Sequence, residues 1–199
     1  MGDSDKAIEY TEKALLIARE VGDQRGISGA LGNLGIAHFA MGATRRSAHF
    51  YEQQLVLARG IGDRHAEGNA LANLGMVYRQ LGDPKNALEH CGRALALARE
   101  AGDRRGEEQI LGNVGNCYAG MGDWPRALQC YEQQLVFARE IADRQGEAHA
   151  LINSAVVMRR SGDNLHAIAR VEMALQIYEA VEDPNASKVR AVLAQWKGG

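Results

Sequence analysis

Apolar residues along this chain recur at intervals of three and four, the spacing of a helix face, and nowhere in the sustained alternation of a strand. One stretch sets the pattern. Leu71, Leu74, Tyr78 and Leu81 share a face, in a segment rich in Ala, Leu, Glu, Gln and Arg, all good helix formers. Asp63 precedes that segment as an N-cap and Gly82 follows it, where glycine suits a helix C-terminus. A second helix opens at Asp83-Pro84, with proline at the first helical position, where its missing N–H costs nothing, and runs to about Glu100 before Gly102-Asp103. We call the first kind of helix A and the second B.

A shift of 40 residues lays the whole pattern on itself. Asp23, Asp63, Asp103, Asp143 and Asp183 fall in one column, Gly42, Gly82, Gly122 and Gly162 in another, and Leu15, Leu55, Leu95, Leu135 and Leu175 in a third. Asn33-Leu34-Gly35, Asn73-Leu74-Gly75 and Asn113-Val114-Gly115 recur, with Asn153-Ser154-Ala155 as a degenerate fourth copy. The predicted organisation is a leading B helix over 4–20, complete A–B repeats over 24–60, 64–100, 104–140 and 144–180, and a final helix over 185–197 that caps the array. Ten helices result. Gly2 falls in the column of Gly42, so the chain is expected to open at a turn inside a repeat, as a piece of a longer protein does, and Gly198-Gly199 to be a linker or tag remnant.

The residues Leu74, Gly75, Tyr78, Gly82, Ala87 and Ala94, with Val114, Gly115, Tyr118, Gly122 and Ala127 in the next copy, resemble the tetratricopeptide repeat. Asn73 stands where that repeat carries Trp, and the period is longer than the common one. Gly-Asp-Arg and Asn-Leu-Gly make the chain similar to the Leu-Gly-Asn repeats of the Partner of Inscuteable type, to kinesin-light-chain-like arrays and to many bacterial regulators. The resemblance implies an all-α fold, a right-handed α-α superhelix of about ten antiparallel helices, whose A helices line a concave peptide-binding groove. Physics leads to the same stacking, since one hairpin cannot bury its apolar face alone. Mid-helix Gly35, Gly75 and Gly115 each cost about 1 kcal/mol relative to Ala, which close approach of each A helix to its own B helix would offset.

A weaker period of 80 lies above the first. Tyr51-Glu52-Gln53-Gln54-Leu55-Val56 is repeated as Tyr131 to Val136, while Ala14, Ala94 and Ala174 replace Gln in the alternate B helices. It reads either as a duplicated pair of repeats or as an alternating surface for a repeating or dimeric partner.

Composition narrows the function. The 199 residues are 46% hydrophobic and 24% charged with a net charge of -2, which argues against disorder and against a generally basic nucleic-acid binder. Most of the 23 glycines fall in the repeat columns, so they mark helix ends and close contacts instead of a phosphate loop. Cys91, Cys117 and Cys130 form no paired spacing and read as reduced cysteines of a cytoplasmic protein. No run approaches a membrane span, and Lys6 stands where a myristoylation signal at Gly2 would need Ser or Thr.

Chemistry is sparse. His90, Cys91 and Cys130 diverge on their helices or sit on helices about 8–10 Å apart, too far to share a metal. His38 occupies the column of Tyr78 and Tyr118 as a core substitute. No catalytic motif stands out, so neither an enzyme nor a cofactor is expected. Arg19, Arg59, Arg99 and Arg139 end the B helices and are assigned to the helix dipole and to the Asp four residues on. Arg64, Arg104 and Arg144 follow N-caps, where a cation is disfavoured, and are assigned to solvent or a partner.

The candidate site is the A-helix strip opposite the Leu71, Leu74, Tyr78 and Leu81 side. It holds Asn69, Ala72, Asn73, Met76 and Gln80, and its equivalents are Gly29, Gly32, Asn33, Ile36 and Ala40; Gln109, Gly112, Asn113, Asn116 and Gly120; and His149, Ile152, Asn153, Val156 and Arg160. Asn33, Asn73, Asn113 and Asn153 match the groove asparagines of peptide-binding families. Their amides suit the N–H and C=O of an extended ligand, and Gly and Ala leave room for its chain. Arg79, Arg159 and Arg160 add carboxylate recognition, so an acidic or amide-rich protein or peptide segment is the expected partner. The asparagines have a second reading as hydrogen bonds between repeats. The alternative function is a regulatory or oligomerising segment of a larger protein, beside a signalling or DNA-binding domain, self-associating through its open N-terminal face.

Overall fold

A computed structural model describes residues 3–198, with side chains from Lys6 onward. Gly2 and Gly199 lie outside the described residues. Ten helices are present among them: B-type α1 (Asp3–Glu20), α3 (Thr44–Ile61), α5 (Pro84–Ala101), α7 (Trp124–Glu140) and α9 (Asn164–Ala180), and A-type α2 (Gln24–Ala40), α4 (Arg64–Gln80), α6 (Arg104–Gly120), α8 (Arg144–Arg160) and α10 (Asn185–Gly198). They form two compact units, Met1–Ala101 and Gly102–Gly199. The first stacks α1 and the hairpins α2–α3 and α4–α5; the second stacks α6–α7, α8–α9 and α10.

Local rules place the ends. The Asp column caps the A helices: Asp23, Asp63, Asp103 and Asp143 accept from the backbone N–H three residues on at 2.8–2.9 Å. Asp123 and Asp163 do the same for B helices. Asp83 accepts from the Asn86 backbone and amide, which holds its carboxyl below the ordinary value. Gly22, Gly42, Gly62, Gly82, Gly102, Gly122 and Gly162 turn the chain at positive φ. Ala142 and Glu182 take the same left-handed conformation at φ 55° and 54° without the glycine.

Within a hairpin, side-chain sizes on the facing helices compensate. A Cβ on Gly35 would lie 2.5 Å from the ring of Tyr51, one on Gly75 2.3 Å from Cys91 Sγ, and one on Gly115 2.5 Å from the ring of Tyr131. One turn earlier, Gly32 faces Gln54 and Gly112 faces Gln134, with the amide nitrogens 2.7 and 2.8 Å from where a Cβ would stand. In the alternate hairpins Ala72 is opposite Ala94, and Ile152 opposite Ala174. The 80-residue period at these positions is therefore a packing rule: buried Gln54 and Gln134 fill space that the glycines vacate.

Some placements differ from expectation. Leu81 lies in the loop after α4 and is 42% exposed, not in the core. Tyr78 is half-buried, stacks on His90 at 5.1 Å and donates to Glu52 Oε1 at 2.9 Å. Arg59 and Arg139 reach across the loop to Glu67 and Glu147, at 2.9 and 2.8 Å, instead of bonding Asp63 and Asp143. Arg64, Arg104 and Arg144 pair with Glu67, Glu107 and Glu147. The Glu in the first turn of the A helix supplies the charge that offsets the unfavourable position of the cation, and the three arginines remain more than half exposed, as expected. The degenerate fourth copy is explained too. Ser154, where other repeats hold Leu or Val, accepts from Arg170 Nη1 at 2.8 Å, and Arg170 also pairs with Glu132.

Helix α10 starts at Asn185, one residue later than the 40-residue period gives, and its register is shifted by one. Pro184 is not helical, Asn185 N–H bonds Asp183 Oδ1 and Ala186 N–H bonds the Asp183 carbonyl, roles that Gly146 and Glu147 play toward Asp143. Ala186, Val189, Leu193 and Trp196 consequently take the inward columns of Glu147, Ala150, Ser154 and Val157, and pack on the core of α8 and α9.

Candidate functional site

Within each unit the A helices approach one another, α2 with α4 and α6 with α8, while α3 and α5, and α7 and α9, make no such approach. The A side is thus the inner side of each stack. On it, Asn33, Asn69 and Gln109 are exposed, as is His149, while Asn73, Asn113, Asn116 and Asn153 are half-buried. The helical period brings them to one strip of α2 and α4 in the first unit, and one of α6 and α8 in the second.

Gly32 and Gly112 do not belong to that strip. They are buried beneath Gln54 and Gln134, so they open no room for a ligand. Among the described residues, the side-chain amides of Asn33, Asn73, Asn113 and Asn153 have no hydrogen-bond partner within the chain, and so make no link between repeats. Asn116 Oδ1 accepts from Tyr131 at 2.8 Å, and Asn69 Nδ2 bonds His65 Nδ1 at 3.3 Å. His149 packs edge-on against Tyr178, its ring centre 6.2 Å away. Arg79 is exposed at the end of α4. Arg159 and Arg160 lie over the rings of Trp196 and Trp124, at 4.7 and 5.8 Å. Those cation–π contacts hold the guanidinium planes in place.

Sequence reasoning gave the open N-terminal face for self-association without naming the apolar residues that line it. Tyr10 and Ile17 are 69% and 61% exposed along one stripe of α1 with Ala14. Their columns would have shown it, because the same positions in α3 and α5 are covered by the preceding A helix: Phe50 stacks on His38 and Leu97 lies over Gly68.

The remaining chemistry is that of a packed core. Burial pushes the Cys130 thiol up, away from the reactive thiolate, and the His90 imidazole down, toward its neutral form. No group of three or more His, Cys, Asp or Glu able to hold a metal occurs among the described residues. No described helix is long and apolar enough to cross a membrane.

Stacked antiparallel hairpins with capped, glycine-turned ends and an inner polar strip define a helical-repeat interaction module. The chain belongs to the tetratricopeptide repeat family, whose model matches residues 27–100, 66–135 and 106–180. A second model, anaphase-promoting complex subunit 5, matches residues 1–36 only. Among solved structures, the chain is similar to BtubC (BKLC) from P. vanneervenii, at 24% identity and TM-score 0.80, covering 91% of this chain and 75% of that one. The apo form of RapI is similar at 16% identity and TM-score 0.86, over 98% and 71%. A Podospora anserina putative kinesin light chain with nearly identical TPR-like repeats is similar at 14% identity and TM-score 0.73, over 91% and 89%. No curated protein sequence matches the chain. These likenesses make the fold a tetratricopeptide solenoid, in general a non-catalytic scaffold for protein interaction.

Proposed function

We propose that the chain is a cytoplasmic scaffold that binds an extended protein segment along the A-helix strips, without catalysis or cofactor. One observation carries the reading: four asparagines recur on the inner strips, Asn33 exposed and Asn73, Asn113 and Asn153 half-buried, with amides that no described group of the chain satisfies. A buried or structural amide finds a partner, whereas these are left for a ligand's backbone. The exposed Arg79, with Arg159 and Arg160 held on their tryptophans, favours an acidic or amide-rich segment over a basic one. With a net charge of -2, nucleic acid is the weaker partner.

The test is an array of extended peptides graded from Asp/Glu/Asn/Gln-rich to Lys/Arg-rich. Acidic and amide-rich peptides are expected to bind best. The double variant N73A/N113A, losing hydrogen bonds worth about 1 kcal/mol at each position, should bind about 30-fold more weakly at unchanged melting temperature. Lower melting with unchanged affinity, or equal binding of basic peptides, overturns the reading.

A second reading, a regulatory or oligomerising segment of a larger protein, is favoured by the uncovered apolar stripe on α1.

A further inference from the structure

We propose that the cleft between α1 and the α2–α3 turn is an anion site whose ligand is a small phosphate monoester with an apolar body. The site lies on the side of α2 away from Asn33 and is independent of the strip reading above.

In three B helices the same contact closes the first turn. The side chains of Asn86, Arg126 and His166 each bond the Asp three residues earlier, Asp83, Asp123 and Asp163, at the start of the helix. Helix α3 keeps the donor and lacks the acceptor. Arg46 stands in that column, but the N-cap is Ala43, which makes no side-chain cap, so neither the Arg46 backbone N–H nor its guanidinium meets a carboxylate of the described chain. Arg45 beside it has no ion pair among the described residues either, and both arginines line the cleft. An uncapped helix N-terminus with two unanswered guanidiniums suits an external anion in place of the missing carboxylate.

His38 points to the same place. It is 7% exposed, lines the cleft, and its ring nitrogens bond to no described group. Neither nitrogen is sealed within the core, so the ring presents them to the cleft. Tyr78 and Tyr118 hold its column in the next two hairpins. Tyr78 reaches Glu52 with its hydroxyl, and Arg126, the counterpart of Arg46, lies over the Tyr118 ring at 5.6 Å. The shorter His38 leaves Glu12, the counterpart of Glu52, without a partner among the described residues, and a cleft of about 640 Å³ opens there. That volume is ordinary for a small-molecule site, and Ile8, Met41 and Phe50 give it an apolar lining for the body of an ester. Two guanidiniums and a helix N-terminus against the single Glu12 carboxylate leave the cleft positive, which a phosphate dianion answers more fully than a carboxylate does.

Calorimetric titration of the full chain with phenyl phosphate, inorganic phosphate and benzyl alcohol tests this. Phenyl phosphate should bind saturably and more tightly than either of the others. Three variants, each checked for folding by circular dichroism, remove the site in different ways. R46A takes away the guanidinium, A43D returns the carboxylate of the other B helices, and H38Y refills the cleft with the tyrosine of its column. Each should weaken binding by about tenfold or more, the loss of one charge-assisted hydrogen bond, and A43D should do so while raising the melting temperature. R126Q, at an exposed arginine of α7 already paired with Asp123, should bind as the parent does. The proposal fails if the parent does not bind phenyl phosphate, if A43D binds it as the parent does, or if benzyl alcohol binds equally well. Inorganic phosphate binding as tightly as phenyl phosphate, or a phosphoserine peptide binding more tightly, would overturn the assignment of a small ester.

Discussion

Gly75→Ala tests the reason for the mid-helix glycines. The added Cβ would lie 2.3 Å from Cys91 Sγ, well inside ordinary contact, and 3.3 Å from the Ala87 carbonyl oxygen. Retreat along α5 is restricted because one of the neighbours is backbone. Overpacking costs about 1–3 kcal/mol, and a contact this deep belongs in the upper part of that range, about 2–3 kcal/mol, against which alanine returns about 1 kcal/mol of helix propensity. The variant should therefore lose roughly 1–2 kcal/mol, a fall of about 2–8 °C in melting temperature for a chain of this size. Cys91→Ala removes the sulfur that the new methyl meets. In the C91A background the clash part of the cost should vanish, giving a coupling of at least about 1 kcal/mol. Thermal melts and urea unfolding of the four proteins, followed by circular dichroism, complete the cycle. Should G75A melt at or above the parent, or lose as much with C91A as without it, close approach is not why glycine stands there.

Two other substitutions probe the frame. Ala142→Gly relieves an alanine at φ 55° and should raise stability by about 1 kcal/mol, seen as a higher urea midpoint at constant slope. Glu108, 2% exposed, accepts from Gln134 Nε2 at 2.6 Å, and burial first, then the Asp143 charge, pushes its carboxyl up against the lowering effects of Gln134, His149 and Arg105. A raised folded-state value gives stability that is complete below the unfolded value and lost as pH rises through the folded one. The melting temperature of E108Q relative to the parent should accordingly climb between acid and neutral pH; a difference that stays flat across that range would refute the assignment.

Much of this architecture was legible because it is local. The Asp caps, the turn glycines and the helical period act within a few residues, so columns alone located all ten helices and the asparagine strips. What escaped needed knowledge of which helix faces which. Gln54 and Gln134 fitted either a duplicated pair of repeats or an alternating surface, and only the structure shows Gly32 and Gly112 beneath them. Arg59 and Arg139 pair with a Glu eight residues on, across a turn that folds the chain back, and not with the nearer Asp. The frame shift in α10 is invisible in the columns, since Asp183 keeps its place while Pro184 drops out of the helix. At the site, the asparagines were legible as a strip, but only the structure shows that Asn116 already has Tyr131 and that Arg159 and Arg160 rest on tryptophans.

The paired sizes within hairpins make the hairpin, not the helix, the unit in which this chain can be recombined. A crossover placed in the loop between B and the next A carries a matched Gly–Gln or Ala–Ala set intact into a chimera. One placed between A and B of neighbouring repeats would join Ala72 to a glutamine, or Gly32 to an alanine, leaving a collision in one product and a void in its reciprocal. Repeats that look interchangeable by their columns therefore come in two volumes, and shuffling them respects a boundary that the 40-residue period does not mark.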